Sequence, residues 1–341
     1  FEQIVAENVG AKEAVAVSSC TTALHIALRT AGLRCGDWAC LTKPCAERCE
    51  IICPSYTFVA TINALLYLGI KPVLVDINAQ TGNIDPDLIE AAISPRTRAI
   101  MPVHQLGYPA DLDQIHSIAS KHDLMVFEDA ACALGAQYKS QPIGSHSPLV
   151  CFSFHPRKAV TTAEGGVIAT NDPKIADHAR ILRSHGASIS AEGRHKLGVG
   201  VFEQYVDVGF NFRMTDVHAA IGIEQMKRLP AILQRRRALA QNYTDHFKQT
   251  PEILPPVVPE NMAHAYQTYA VQLSDECKIE RDDVMERLSS HGVSCRRGIP
   301  PVHLEPYFEE RFGQSHLPVT EHVSARTIFL PLYPQMAKEE Q

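Results

Sequence analysis

The chain has 341 residues, 45% of them hydrophobic and 21% charged, and 32 basic against 38 acidic side chains give a formal charge of −6. That length supports one large globular domain with a smaller companion, while mild acidity without a long block of one sign argues against nucleic acid or an anionic membrane as partner. The most apolar segment, Val59 to Val75, is interrupted by Asn63, Gly69, Lys71 and Pro72 and falls short of the ~20 apolar residues of a membrane span.

The opening FEQIVAENVGAKEAVAV reads as a helix leading into a strand at 13–17 rather than as a secretory leader, so a soluble, cytoplasmic protein is expected. Further strands are expected at 71–77, 98–103, 124–129, 149–154 and 165–170, alternating with the helical stretches TTALHIALRTAG, TFVATINALLYLG and DLDQIHSIASKHD. Such alternation specifies the α/β class, a mostly parallel sheet covered by helices. Asp172 followed by Pro173 starts another helix, and Gly186 stands where it can close it. This large domain is expected to span 1–229. LPAILQRRRALAQNYTDHF then reads as a linking helix, and after the Pro-rich TPEILPPVVPE a strand at 266–273, a helix at 281–292 and the short strand VSCRR give a smaller α+β domain within 230–341.

Four segments carry candidate chemistry. In AVAVSSCTTALHIAL, strand passes through a polar turn into a helix, so Thr21 and Thr22 either cap that helix or join its N-terminal N–H groups in holding a phosphate. In PSYTFVAT, Phe58 is either core or a face for a flat ring. Asp129 ends the strand of LMVFEDAACALGA and is either a helix cap or a carboxylate that keeps a pyridine nitrogen protonated. Lys158, in SFHPRKAVTTAEGG, is either a solvated charge or, because it follows a strand's carboxyl end where α/β sheets bind ligands, a Schiff-base nucleophile whose pKa burial would depress.

Taken in order, SSCTTALH, PSYTFVAT, VHQLGYPAD, EDAACALGA, SFHPRK with TTAEGG, and VGFNFRMTD resemble the nucleotide-sugar aminotransferase family of DegT/StrS type over nearly the whole chain. The resemblance implies a fold type I, aspartate aminotransferase-like architecture and pyridoxal 5'-phosphate (PLP, or PMP when aminated) as cofactor. It further implies that Lys158 carries the cofactor, Asp129 pairs with its pyridine nitrogen and Phe58 lies on its ring. Thr21, Thr22 and Ser153 would hold the phosphate, and Asn211 would reach in from the other subunit of a homodimer with a shared active site. In RRGIPPVHLEPYF the resemblance makes Arg296, Arg297 and His303 candidate contacts of the sugar substrate.

The chain departs from the family pattern in three places. Cys132 stands where Gln or His usually neighbours the cofactor's phenolic oxygen, and Cys20 replaces a glycine before the phosphate-binding threonine. Both ends are also shorter than is usual in the family.

The implied activity moves an amino group from glutamate to a keto-sugar, most simply a nucleotide-linked 3- or 4-keto-deoxysugar, for amino-sugar or surface-polysaccharide biosynthesis, with Lys158 as nucleophile and acid/base. Two rivals stand beside it. A PMP-dependent sugar dehydratase of the same family would have histidine at the place of Lys158, and a non-catalytic PLP-binding regulator would need a sensor or DNA-binding module.

One stretch, CGDWACLTKPCAERCEIIC, holds half of the ten cysteines and the only tryptophan. The resemblance implies that residues 38–49 are an insertion, since family members commonly run from a glycine-aspartate turn directly into the strand before PSYTF. Its spacings are not C-x-x-C pairs, so no metal is expected; a zinc site would have to use Cys35, Cys40, Cys45 and Cys49. Cys53 belongs instead to the strand and is expected to be buried.

Overall fold

The computed structural model describes residues 1–33, 49–189 and 202–341. The expected insertion, with Cys35, Cys40 and Cys45, therefore lies almost wholly outside the described residues. In chain order the first half comprises α1 (Glu2–Val9), β1 (Glu13–Val17), α2 (Cys20–Thr30), β2 (Glu50–Pro54), α3 (Val59–Tyr67), β3 (Lys71–Val75), α4 (Pro86–Ile89), β4 (Thr97–Ile100), α5 (Leu112–Lys121) and β5 (Met125–Asp129). It continues through a small hairpin of β6 (Gln137–Tyr138) and β7 (Gln141–Pro142) to β8 (Leu149–Ser153), β9 (Gly166–Thr170) and α6 (Pro173–Leu182).

Seven of these strands form one sheet in the order β1-β9-β8-β5-β4-β2-β3. The pairs β2–β3, β2–β4, β4–β5 and β5–β8 are parallel, and β9 alone runs against its neighbours β8 and β1. Every residue of β2, β8 and β9 is buried, the pattern of strands covered on both faces. One face packs Ile51, Cys53, Phe127 and Cys151 against α2 and α3, while Val150, Phe152 and Val167 face α1 on the other.

Local chemistry explains where the helices start and stop. Ser19 and Thr22 form a reciprocal capping box on α2. Asp172 accepts from the Lys174 N–H with Pro173 in the first turn of α6, and left-handed Gly186 returns its N–H to Ile181 O at 3.0 Å. Both features match the sequence expectation.

The second half starts differently from the expected pattern. One helix, α7, runs unbroken from Asp216 to Phe247 with Pro230 inside it, so the expected boundary at 229 falls mid-helix. An interior proline costs about 3 kcal/mol, but Met226, Leu229, Ile232 and Leu233 on either side of it are buried against the large sheet's core, which offsets that cost. Beyond it come β10 (Ile253–Leu254), β11 (Tyr269–Leu273), α8 (Arg281–Ser290), β12 (Arg296–Arg297), α9 (Pro306–Phe312), α10 (Pro318–Arg326) and β13 (Thr327–Leu330). The sheet β10-β11-β13-β12 is antiparallel throughout, as an α+β unit requires.

A single carboxylate ties the two sheets' surroundings together. Asp76, just past β3, accepts from the N–H groups of Val319 and Thr320 in the first turn of α10 at 3.0 and 2.7 Å. No helix among the described residues is long and apolar enough to cross a membrane.

Candidate active site

The carboxyl ends of β5 and β8 and the amino end of α2 meet at one place. Asp129 is the last residue of β5 and is 4% exposed. Its Oδ2 accepts from Thr61 Oγ at 2.7 Å and its Oδ1 from the Ala131 N–H at 3.0 Å. Thr61 shares a hydrogen bond of 2.8 Å with Thr57 one helical turn earlier. These two threonines of PSYTFVAT had no role in the sequence reading; their four-residue spacing at a helix start was the signal that could have found them.

The strand end is also braced from behind. The His104 N–H donates to Asp129 O and the Asp129 N–H to Pro102 O, both at 3.0 Å. His104 Nδ1 accepts the Ala110 N–H, so its Nε2–H faces Glu128 Oε2 at 2.8 Å, with both side chains fully buried. Burial alone would raise the Glu128 pKa, but the hydrogen bonds from His104 and Ser147 hold it below the usual carboxylate range.

Lys158 lies in the turn after β8, where its own N–H donates to His155 O at 2.9 Å. Its Nζ donates to Cys132 Sγ at 3.1 Å. The expectation of a depressed pKa is corrected here: burial does pull the amine down, yet Cys132, Cys20 and Asp129 together outweigh it and the net direction is upward. Sequence reading counted the desolvation and not the acidic groups the fold gathers around this amine.

Close backbone approach brings α2 to the same place. A Cβ on Gly166, the first residue of β9, would collide with Ser19 O and Cys20 N, so only glycine lets the β8–β9 pair lie directly under the helix start. Ser153 pairs with Gly166 across that ladder and its Oγ accepts the His155 N–H at 3.4 Å. The Cys20 and Thr21 N–H groups, first in α2, have no partner among the described residues. Thr22 is committed to the capping box: its Oγ donates to Ser19 O at 2.8 Å and accepts the Ser19 N–H at 3.0 Å. Capping is thus what the Thr22 hydroxyl does, while that of Thr21 has no partner among the described residues.

Phe58 is 70% exposed at the start of α3, which excludes the core reading for it. Asn211 is exposed and pairs through its backbone with Ser184.

The family of DegT/DnrJ/EryC1/StrS aminotransferases matches residues 1–341, the whole chain. The chain belongs to that family. It is 36% identical over 344 residues to the spore coat polysaccharide biosynthesis protein SpsC of Bacillus subtilis (strain 168), spanning 100% of this chain and 85% of SpsC. The solved PMP form of Spr1654, a putative sugar aminotransferase from Streptococcus pneumoniae, superposes with a TM-score of 0.90 at 28% identity, covering 99% of this chain and 87% of that one. A solved structure of DesI in the presence of its TDP-sugar product gives a TM-score of 0.85 at 33% identity over 100% of this chain and 80% of that one. The protein is a PLP-dependent sugar aminotransferase of fold type I.

The family's cofactor suits the residues present. A buried carboxylate already holding two donors, an amine 3.1 Å from its nearest polar atom, and a helix start with unpaired N–H groups offer partners for a pyridine nitrogen, an aldehyde and a phosphate.

The three expected substrate contacts differ in their surroundings. Arg296 and Arg297 are exposed on β12 and make no side-chain hydrogen bond or ion pair among the described residues. His303, expected to face the substrate with them, is instead 3% exposed. Its Nδ1 lies 2.7 Å from Ser55 Oγ, its Nε2 3.2 Å from Glu321, and its N–H donates to the same Ser55 Oγ at 3.1 Å. Both ring nitrogens are engaged, which makes His303 a pin between the PSYTF loop and α10 rather than a substrate contact. The described cysteines are free thiols, with Cys53 fully buried as expected, and no group of three metal-ligating side chains suited to a metal occurs among the described residues.

Proposed function

We propose that the enzyme takes its amino group from glutamate and gives it to a nucleotide-linked 3- or 4-keto-deoxysugar, serving amino-sugar or surface-polysaccharide biosynthesis. The observation that carries this reading is the meeting of the Lys158 amine, the buried Asp129 carboxylate and the α2 start at one strand-end cleft. DesI, solved in the presence of its TDP-sugar product, and SpsC, a spore coat polysaccharide biosynthesis protein, support the acceptor class.

In this reading the Lys158 amine would hold the cofactor and, once free, would serve as the base that takes the proton from the donor's α-carbon. Asp129 holds positive charge at the pyridine nitrogen, with its own orientation set by Thr61 and the Ala131 N–H. When bound, the cofactor supplies an electron sink for the carbon that loses its proton. Thr21, Ser153 and the α2 N–H groups hold the phosphate, Phe58 covers one ring face, and Cys132 neighbours the ring's oxygen. Arg296 and Arg297 are free to meet the acceptor's phosphates.

A homodimer completes the site in this proposal. Asn211 lies in a stretch where Phe202, Tyr205, Val206, Val208 and Val217 are all exposed, an apolar surface of the kind a second subunit covers. A cytoplasmic location accords with the free thiols among the described residues.

A glutamate-dependent screen of nucleotide-linked 3-keto and 4-keto sugars, read by mass, tests the substrate class. The reading predicts one acceptor converted to its amino sugar with 2-oxoglutarate formed in equal amount. Failure of every nucleotide-linked acceptor, with an unlinked keto-sugar turned over instead, would place the substrate elsewhere.

A further inference from the structure

The Lys158 amine has one polar contact among the described residues, and it is a thiol: Nζ donates to Cys132 Sγ at 3.1 Å. Lys158 and Cys132 are both partly buried, and Cys132 is a free thiol. Ala131, Ser153, Ala159 and Gln267 surround the pair. Cys20 also lies near this amine, and burial pushes its thiol well up.

We infer that Cys132 and Lys158 form an oxidative modification site, closed into a sulfur–nitrogen crosslink by hydrogen peroxide whenever the lysine amine is free. In the first step peroxide delivers one oxygen to the Cys132 sulfur. The O–O bond breaks, an S–O bond forms, sulfur gives two electrons to the peroxide, and water leaves. In the second step the Lys158 nitrogen, after releasing a proton to solvent, attacks that sulfur. An N–S bond forms, the S–O bond breaks, and the oxygen departs as water with the second amine proton. This condensation is redox-neutral, of the same type as the known closure of a sulfenic acid onto a nitrogen, and a contact of 3.1 Å needs little movement to reach it.

The consequence for activity rests on the reading of Lys158 as the cofactor-carrying residue. An amine bound to sulfur cannot take the cofactor's aldehyde, so oxidation would stop the enzyme in the half of its cycle where the lysine is free. A thiol reductant reverses the bond and restores the amine. The same contact therefore makes the aldehyde form of the cofactor a protecting group for Cys132.

The test treats three preparations with hydrogen peroxide: protein stripped of cofactor, protein loaded with pyridoxamine phosphate, and protein loaded with pyridoxal phosphate. The inference predicts that the first two become lighter by two hydrogens and regain them with dithiothreitol. Since other thiols can pair, the deciding readout is the peptide map. It should show the Cys132 peptide joined to Lys158, with tryptic cleavage lost there, unchanged in Cys20→Ala and absent in Cys132→Ser. Oxygen added to Cys132 without a crosslink, or a Cys20–Cys132 disulfide, would overturn the inference. A crosslink that forms equally fast in the pyridoxal phosphate preparation would support the modification site and count against Lys158 as the cofactor-carrying residue.

Discussion

The Thr61 hydroxyl donates to Asp129 Oδ2 at 2.7 Å, joining the start of α3 to the end of β5 across 68 residues of sequence. Both partners are buried, so removing the donor leaves an ionised oxygen without compensation, which costs about 1.5–3 kcal/mol for a bond to a charged group. Thr61→Val is predicted to lower Tm and to weaken cofactor retention on dilution, with Thr61→Ser restoring both. An unchanged cofactor affinity in the valine variant would mean that Asp129 is not held by this bond.

Asp129→Asn keeps the side-chain shape and its bond from Ala131 while losing the charge. Breaking a buried charge pair costs roughly 3–5 kcal/mol, which corresponds to about 10^2- to 10^4-fold in rate. Turnover is predicted to fall in that range with the fold intact by circular dichroism; near-normal kcat would remove Asp129 from the mechanism.

Gly166→Ala places a methyl against backbone atoms of Ser19 and Cys20, which cannot rotate away as a side-chain tip can. Overpacking of this kind costs about 1–3 kcal/mol or more, and here the strain falls on the α2 start. The variant is predicted to show weaker pyridoxal phosphate binding out of proportion to its loss in Tm, measured by cofactor titration beside thermal melts.

His303 and Arg296 separate structure from substrate binding. His303→Ala strips partners from Ser55 and Glu321 and is predicted to destabilise by roughly 1–3 kcal/mol. Arg296→Ala, at an exposed site, should change stability by less than about 0.5 kcal/mol while raising KM for the sugar acceptor and leaving that for glutamate unchanged. Equal KM values for both substrates in Arg296→Ala and wild type would exclude that arginine from acceptor binding.

Asp76 predicts a particular acid response. Burial would raise its pKa, but the hydrogen bonds from Thr320, Val319 and Ile77 hold it below the usual carboxylate range. A carboxyl depressed in the folded state stabilises the protein at pH above its unfolded value of about 4 and loses that contribution as pH falls through the lower, folded value. Tm should therefore drop on acidification below about pH 4, more steeply in wild type than in Asp76→Asn. Parallel curves for the two proteins would show that the α10 link does not carry the acid sensitivity.

What the sequence made legible, and what it did not, follows from the range of the interactions. Strands β5, β8 and β9 were readable because each is a short, mostly buried run led by apolar residues, and the start of α6 because Asp172 and Pro173 act within one turn. The linking helix expected from Leu229 starts instead at Asp216 for a tertiary reason: the core contacts of Met226, Leu229, Ile232 and Leu233 carry α7 through a proline that local propensity treats as a stop. The place of Lys158 after a strand end was legible from α/β topology, but the direction of its pKa was not, since Cys132 and Cys20 reach it only through folding. The resemblance of RRGIPPVHLEPYF makes His303 a candidate substrate contact, whereas its ring partner Ser55 lies 248 residues away. Local pattern fixes elements and their ends; side-chain partners at a site depend on which distant elements the core brings together.

The central claim is that Lys158 is the residue to which the cofactor is attached. Borohydride reduction of the pyridoxal phosphate-loaded enzyme, followed by proteolysis and mass mapping, locates that attachment directly. The account predicts the reduced phosphopyridoxyl group on Lys158 alone, and its disappearance if glutamate is added before the reductant; the group on any other lysine, or on none, would contradict it.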